Sequence, residues 1–335
     1  MAENETLLKR VRCEYILEYL RDNTDADHCV NSNAIIKHLA QKGISCGRKA
    51  VYDDITALIM YGYDIVRAKS SNDGYFLGER VFQSSEVRVM VDAVTSAPFI
   101  TEKKTVELRD KLLKFMSRYQ REEILSQLSP HERRKSQNEQ IYYVIDEINR
   151  AIAAKRQVEF DYYKYSATGG KPKLEKQRHI VISPYALVWA NDKYYLVGNY
   201  DKYDNLSNYR LDKIKMIKTT ESEARPYSDI CGNYSPFDTT EYIRKNIMMY
   251  NGEETELELI CDNTLLDVMA DKFGIDSITV DSADGQFSLK TTVFYSDGLI
   301  DWLFQYCDRV KIIAPQRLRD RIKEKAAATI KLLEE

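Results

Sequence analysis

The stretch from residue 178 to residue 214, RHIVISPYALVWANDKYYLVGNYDKYDNLSNYRLDKI, constrains this chain more than any other. Ile180 to Trp189 is β-branched and aromatic, interrupted by Pro184. Asn191-Asp192 has the composition of a tight turn, and Lys193 to Tyr200 returns as KYYLVGNY. A third run carries Tyr209, Arg210, Leu211, Lys213 and Ile214. The pattern reads as three β-strands. Strand alternation puts Tyr195 and Val197 on one face and Tyr194 and Leu196 on the other. Rings and cations side by side suit a flat anionic ligand, because bases stack on rings and phosphates pair with Arg and Lys. The same residues are also ordinary strand formers, tyrosine being at home in a sheet.

Three phrases in this stretch resemble the WYL domain, an Sm-like small β-barrel common in bacterial transcription regulators. Lys193 to Gly198, KYYLVG, is similar to the name-giving motif, with Tyr194 at the usual Trp. Ser183-Pro184-Tyr185 resembles the family's preceding strand. Tyr209 to Ile214, YRLDKI, resembles its "FRLDRI" strand, with Lys213 at a usual Arg, so that a planar fork becomes a point charge. The resemblance implies a basic pocket that senses nucleic-acid fragments or nucleotides. It implies Arg210 as the principal anion contact, Tyr195 and Tyr185 as ring or hydroxyl contacts, and His179, Ser183 and Lys193 as lesser ones. Three alternatives stand beside these roles: Tyr195 as core, Arg210 paired with Asp212 or Asp161, and His179 as a plain strand residue.

A chain of 335 residues exceeds one ordinary core, so two or three domains are expected. Six cysteines, at 13, 29, 46, 231, 261 and 307, form no CxxC pair, which fits a reducing cytoplasm better than a disulfide framework. No apolar run is long enough for a membrane span, and the opening MAENETLLKR is not a signal peptide. The net charge of −3 is uneven: −1 over residues 1–80, +3 over 81–138, +3 over 139–225 and −8 over 226–335. Phosphate neutralisation dominates affinity for nucleic acid, so a polyanion is expected to engage the first two-thirds.

Near the N-terminus, Leu8, Val11, Tyr15, Leu17 and Leu20 lie near helical spacing. A second helix is expected from about Asn33 to Gln41 and a third from Arg48 to Tyr61, ending at Gly62. Asp64 to Arg67 and Gly74 to Leu77 flank a polar segment and read as a hairpin. Three helices and a hairpin make a winged helix-turn-helix, and the arrangement resembles the N-terminal domain that accompanies WYL regulators. Its third helix lies in the major groove. The resemblance places Arg48, Lys49 and Tyr52 toward DNA, with Lys69 on the wing. Ala50 replaces a usual Thr and Asp53 a usual Arg; a carboxylate there repels phosphate, although it can accept from cytosine. A degenerate winged helix used for dimerisation or protein contact is the competing reading.

Residues 81–128 carry two apolar stripes, Val87, Met90, Val91, Val94 and Leu108, Leu112, Phe115, Met116, expected as linker helices. A polar hinge spans 129–138. In the tail the order of apolar patterns is βαββαβ, the ferredoxin-like split arrangement. It resembles the WCX-type extension that follows WYL domains, including the closing phrase Ala314-Pro315-Gln316-Arg317-Leu318-Arg319.

The sequence contains no phosphate loop, GxGxxG, HExxH or GxSxG motif, and its four histidines show no metal spacing. No catalysis, metal or cofactor is expected. The expected fold class is multidomain α+β: a winged helix-turn-helix over 1–80, a helical linker over 81–138, a small Sm/SH3-like β-barrel (WYL) over 139–225 and a ferredoxin-like domain over 226–335. The expected function is a ligand-responsive, cytoplasmic DNA-binding transcription regulator, a homodimer that binds double-stranded DNA through the winged helix and a single-stranded nucleic acid or nucleotide at the WYL segment. The alternative is a single-strand-binding accessory factor of a phage-defence or CRISPR system.

Overall fold

The computed structural model describes residues 11–68, 74–128, 135–167, 170–231, 237–281 and 285–334. The described residues form a mixed α+β fold with three separate sheets, and the chain divides into two compact units, Met1–Gln137 and Asn138–Glu335. No helix among the described residues is long and apolar enough to cross a membrane.

The first unit opens with helices α1 (Arg12–Asn23), α2 (Ser32–Gln41) and α3 (Arg48–Tyr61), followed by the hairpin β1 (Ile65–Ala68) and β2 (Gly74–Leu77). Asn31 starts α2 by accepting from the Ala34 amide at 3.0 Å, which satisfies an orphan donor of the first turn. Gly62 ends α3 at φ +113°, a conformation that costs an L side chain energy. Ile16, Leu20, Ile35, Leu39, Val51 and Ile55 close the core between the three helices. Helices α4 (Ser84–Ser96), α5 (Glu102–Leu113) and α6 (Arg118–Gln127) carry their own apolar cluster of Val87, Val91, Leu113, Met116 and Ile124. Phe115, expected within the stripe, instead stands 40% exposed against the edge of Phe82. The linker is tied to the first helices by the buried Ser117 hydroxyl, which donates to Asp25 at 2.6 Å.

The second unit begins with α7 (Ile141–Ala154), whose Ile141, Val144, Ile148 and Ala151 are buried at helical spacing. Strands β3 (Arg156–Ser166), β4 (Lys173–Ala190), β5 (Lys193–Asn199), β6 (Leu206–Arg210) and β7 (Ile214–Glu223) form one sheet in the order β6-β5-β4-β3-β7. Asn191 and Asp192 make the β4–β5 turn with φ of 49° and 59°, the twist that suits a two-residue hairpin. Two expectations are corrected here. The third β-run is not one strand, because Leu211–Lys213 is a 3-10 turn that redirects the chain from β6 onto β3's other edge. The sheet is also open among the described residues: β6 and β7 are its two ends, so no closed barrel is formed.

Glu147 of α7 is buried, and its carboxylate accepts from the Thr219 amide at 2.8 Å and the Thr219 hydroxyl at 2.7 Å. Burial pushes its pKa up, but the Thr219 bonds and Arg150 outweigh that and hold it below the ordinary value of 4.5. A depressed acid contributes stability that is complete above its unfolded-state value and is lost as pH falls through the folded one. The stability gap between wild type and Glu147→Gln should therefore be constant above about pH 4.5 and close below it. Urea unfolding across pH 3.5–7 checks this.

The tail follows a short helix α8 (Thr239–Lys245). Strands β8 (Glu253–Asp262), β9 (Ile278–Asp281), β10 (Gln286–Tyr295) and β11 (Val310–Ala314) alternate with helices α9 (Leu266–Phe273) and α10 (Asp297–Phe304), and α11 (Gln316–Glu334) closes the chain. The sheet order is β11-β8-β10-β9 and every neighbour is antiparallel. Two split βαβ units therefore interleave. Gly252 enters β8 against the chain at Tyr295, where an added Cβ would lie 1.8 Å from the Tyr295 carbonyl oxygen. Backbone on both sides leaves no rotamer to relieve that overlap, so Gly252→Ala should cost roughly 3 kcal/mol, read as a lowered denaturant midpoint.

Candidate functional site

Arg210 ends β6, directly across from Tyr195 of β5. Its backbone amide donates to the Tyr162 hydroxyl at 3.3 Å, and its guanidinium forms a fork onto Asp212, with Nε–Oδ1 at 3.0 Å and Nη2–Oδ2 at 2.6 Å. The pairing with Asp212 raises the pKa of Arg210. The 3-10 turn explains the fit, because two residues along a turn bring a carboxylate back beneath a guanidinium. Lys213, the next residue, is buried, with its Nζ 3.8 Å from the centre of the Tyr165 ring. Burial is the first cause that lowers its pKa; Arg210 and Lys193 lower it further and Asp212 opposes them. Asp212 thus pairs with Arg210 and also acts on Lys213, so that two cations stand beside one carboxylate within a half-buried surface, with Lys193 near enough to Lys213 to act on it.

Rings frame these charges. Tyr162, Tyr209 and Phe160 meet edge to face with centroids 5.3–6.5 Å apart beneath Arg210. Tyr195 is half-buried, and burial raises its pKa, so it stays a neutral hydroxyl. One face of β5 packs against the tail, where Tyr195 and Val197 join Ala186, Val188, Tyr242 and Met249. Further along β3, Tyr163 lies under Lys215, whose Nζ is 4.6 Å from the ring centre, while Tyr165 is 67% exposed.

The structure brings together Arg210, Tyr195 and Lys193, and it places the other sequence-derived candidates elsewhere. His179 faces Asp161 at 2.9 Å and Glu159 at 3.4 Å, and the same two carboxylates hold Lys176 and Lys218. Lys176 first and His179 second keep Asp161 below its ordinary range, so this cluster is already neutralised within itself. Ser183 is wholly buried and accepts from the Arg225 amide at 2.8 Å. Tyr185 donates to the Arg225 carbonyl at 2.7 Å, its pKa driven up by burial. Ser183 and Tyr185 therefore anchor the irregular chain that leaves β7 at Arg225, away from the partners of Arg210. Lys213 and Tyr165 are the contacts not assigned a role from sequence. Their signal is the alternation of Tyr163 and Tyr165 on β3 beside Lys213 and Lys215.

In the first unit, Arg48 and Lys49 stand exposed on the first turn of α3, and Arg48 Nε donates to Asn33 Oδ1 at 3.0 Å. Tyr52 is 43% exposed, its ring tilted 6.4 Å from Tyr75 of the hairpin. Asp53 is exposed beside them, whereas Asp54 turns inward and takes the Arg12 guanidinium, with Nη2–Oδ1 at 2.9 Å. Lys69 lies outside the described residues.

The family model for the WYL domain matches residues 143–219, and that for the WCX domain matches residues 253–330. The chain contains a WYL domain followed by a WCX domain. The WYL match runs from within α7 into β7 and so contains Arg210, Asp212 and Lys213, while the WCX match covers the four-stranded tail. A search of curated proteins finds no match. Among solved structures, this WYL-domain protein is similar to proteasome accessory factor B/C (PafBC) of Arthrobacter aurescens, at 16% identity and a TM-score of 0.29, covering 93% of this chain and 47% of that one. It therefore spans about half the length of that protein. It is also similar to a CRISPR Cas-related protein, at 11% identity and a TM-score of 0.37, covering 98% of this chain and 85% of that one.

Proposed function

We propose that this WYL-domain protein is a ligand-responsive, DNA-binding transcription regulator. In this reading the helices and hairpin of residues 11–77 act as a winged helix-turn-helix, with α3 in the major groove. The five-stranded sheet acts as an Sm-like platform for a single-stranded nucleic acid or nucleotide, and the ferredoxin-like tail belongs to the body of a homodimer. The reading includes no catalytic step and no cofactor. The observation that carries it is the Arg210–Asp212 fork with Lys213 beside it, framed by tyrosine rings. Phosphate can pair with these cations, and a base can stack on Tyr165.

The DNA-binding half has its own test. Arg48 begins a helix with its side chain free to meet a phosphate or a base edge once Asn33 lets go, and such a contact is worth about 1–3 kcal/mol. Arg48→Ala should weaken binding to duplex DNA from upstream of the gene by roughly tenfold or more, and leave single-strand binding at the sheet unchanged. Anisotropy titrations with labelled duplex and labelled strand, in a salt series, separate the two. Loss of both affinities together contradicts the division of labour. Strong strand binding with no duplex site selects the accessory-factor function instead.

A further inference from the structure

The C-terminal helix α11 is 19 residues long, yet only Leu318 and Ile322 of it are buried. Towards its end Ile330 is 57% exposed and Leu333 is 82% exposed. At the helix's other end, the start of α11, β11 and the end of α10 enclose an apolar groove of about 290 Å³. Leu303, Val310, Ile312 and Ile322 line it, and its cations are Lys311, Arg319 and Lys323, with no carboxylate in the lining. Arg319 is fixed there by donating to the carbonyls of Ile312 at 2.9 Å and Ile313 at 2.8 Å.

Helical spacing joins the two ends. Arg319, Ile322, Lys323, Ala326, Ile330, Leu333 and Glu334 recur at intervals of three and four, so one stripe runs the length of α11. It is basic and grooved at its start, small at Ala326, and apolar then acidic at its finish. The finish cannot serve its own groove: at 1.5 Å per residue, Leu333 stands about 15 Å beyond Lys323 on the same rigid rod. Turned end for end about Ala326, however, the stripe complements itself. Leu333 and Ile330 meet the groove, Glu334 meets Lys323 and Lys311, and the small residue sits where two helix backbones cross. Mutual complementarity of a single patch is the requirement of a two-fold interface.

We propose that two copies of this chain associate through antiparallel α11 helices, the Ile330–Leu333–Glu334 end of each seated in the partner's basic groove. The proposal names the surface of the homodimer included in the functional reading above and rests on that part of it. Sedimentation equilibrium of the full chain tests it. The wild type is expected as a dimer, and Ile330→Glu combined with Leu333→Glu should raise its dissociation constant at least a hundredfold. Both side chains are exposed, so an unchanged circular dichroism melt is expected to accompany the loss. Lys323→Glu alone and Glu334→Lys alone should each weaken the dimer about tenfold, and the two together on one chain should restore it, because the reversed pair meets across the two-fold. Alkylation of Cys307, an exposed thiol in the groove, should be slower in the wild type than in the Ile330/Leu333 variant. A wild-type dimer that persists in that variant overturns this surface and leaves the homodimer standing. A wild-type monomer overturns both.

Discussion

Arg210→Ala should lower the affinity of the full chain for a short single-stranded oligonucleotide by roughly ten- to a hundredfold, as expected for a charge-assisted hydrogen bond worth about 1.5–3 kcal/mol. In the free protein the Arg210 fork is occupied by Asp212, so a phosphate has to compete with a carboxylate for the same donors. That competition gives the prediction a second arm of opposite sign. Asp212→Asn removes the competitor and its repulsion of phosphate, and should tighten strand binding. Fold loss is not expected to confuse the first arm, because in Arg210→Ala the Asp212 carboxylate keeps Lys213 nearby as a cation. Labelled-strand anisotropy measures both variants; weaker binding in both would mean that Asp212 contacts the ligand directly.

Asn251→Ala should be the most damaging polar substitution in the second unit. Its Oδ1 accepts from the Tyr242 hydroxyl at 2.6 Å, Asn208 Nδ2 at 2.9 Å and Asn246 Nδ2 at 3.0 Å, and its amide donates to the Leu206 carbonyl. Asn208 and Leu206 belong to the WYL sheet, whereas Tyr242, Asn246 and Asn251 belong to the tail, so one side chain ties the two together. Removing it strands several buried groups, each at about 1–3 kcal/mol, of which neighbours recover part. A net loss of roughly 3–5 kcal/mol corresponds to a fall of about 10 °C in a unit of this size. Scanning calorimetry should show that fall together with a split transition, the sheet and the tail melting separately. Tyr242→Phe should do less, because Asn208, Asn246 and Asn251 keep one another.

Local rules reach some of this structure and stop short of the rest. Asn191-Asp192 announces its turn because only a few residue types accept positive φ twice in a row. The βαββαβ order of the tail follows from alternating periods of apolar residues, which set the sheet order through the split units. Tyr209 to Ile214 reads as one strand, since β-branched and aromatic content does not reveal that Asp212 folds back on Arg210. Which cation is free and which is spent is a tertiary matter. His179 looks like an anion contact along the chain, yet Asp161 and Glu159 stand beside it across the sheet. Lys213 reads as a weakened arginine in the motif, and its seat over the exposed Tyr165 ring comes from the register of two strands almost fifty residues apart. Ser183 and Tyr185 lie in a recognisable phrase, but their partner, the backbone at Arg225, is set by where β7 exits.

The claim that the sheet and the winged helix form one switch has a direct test, since a ligand couples to DNA only through a difference in its affinity for two states. The measurement is the dissociation constant of the full-length protein for its selected duplex site, with and without a saturating short single strand, in wild type and Arg210→Ala. A regulator should show a several-fold change in duplex affinity on adding the strand, abolished by Arg210→Ala. Unchanged duplex affinity in the wild type, with the strand demonstrably bound at Arg210, would contradict the account.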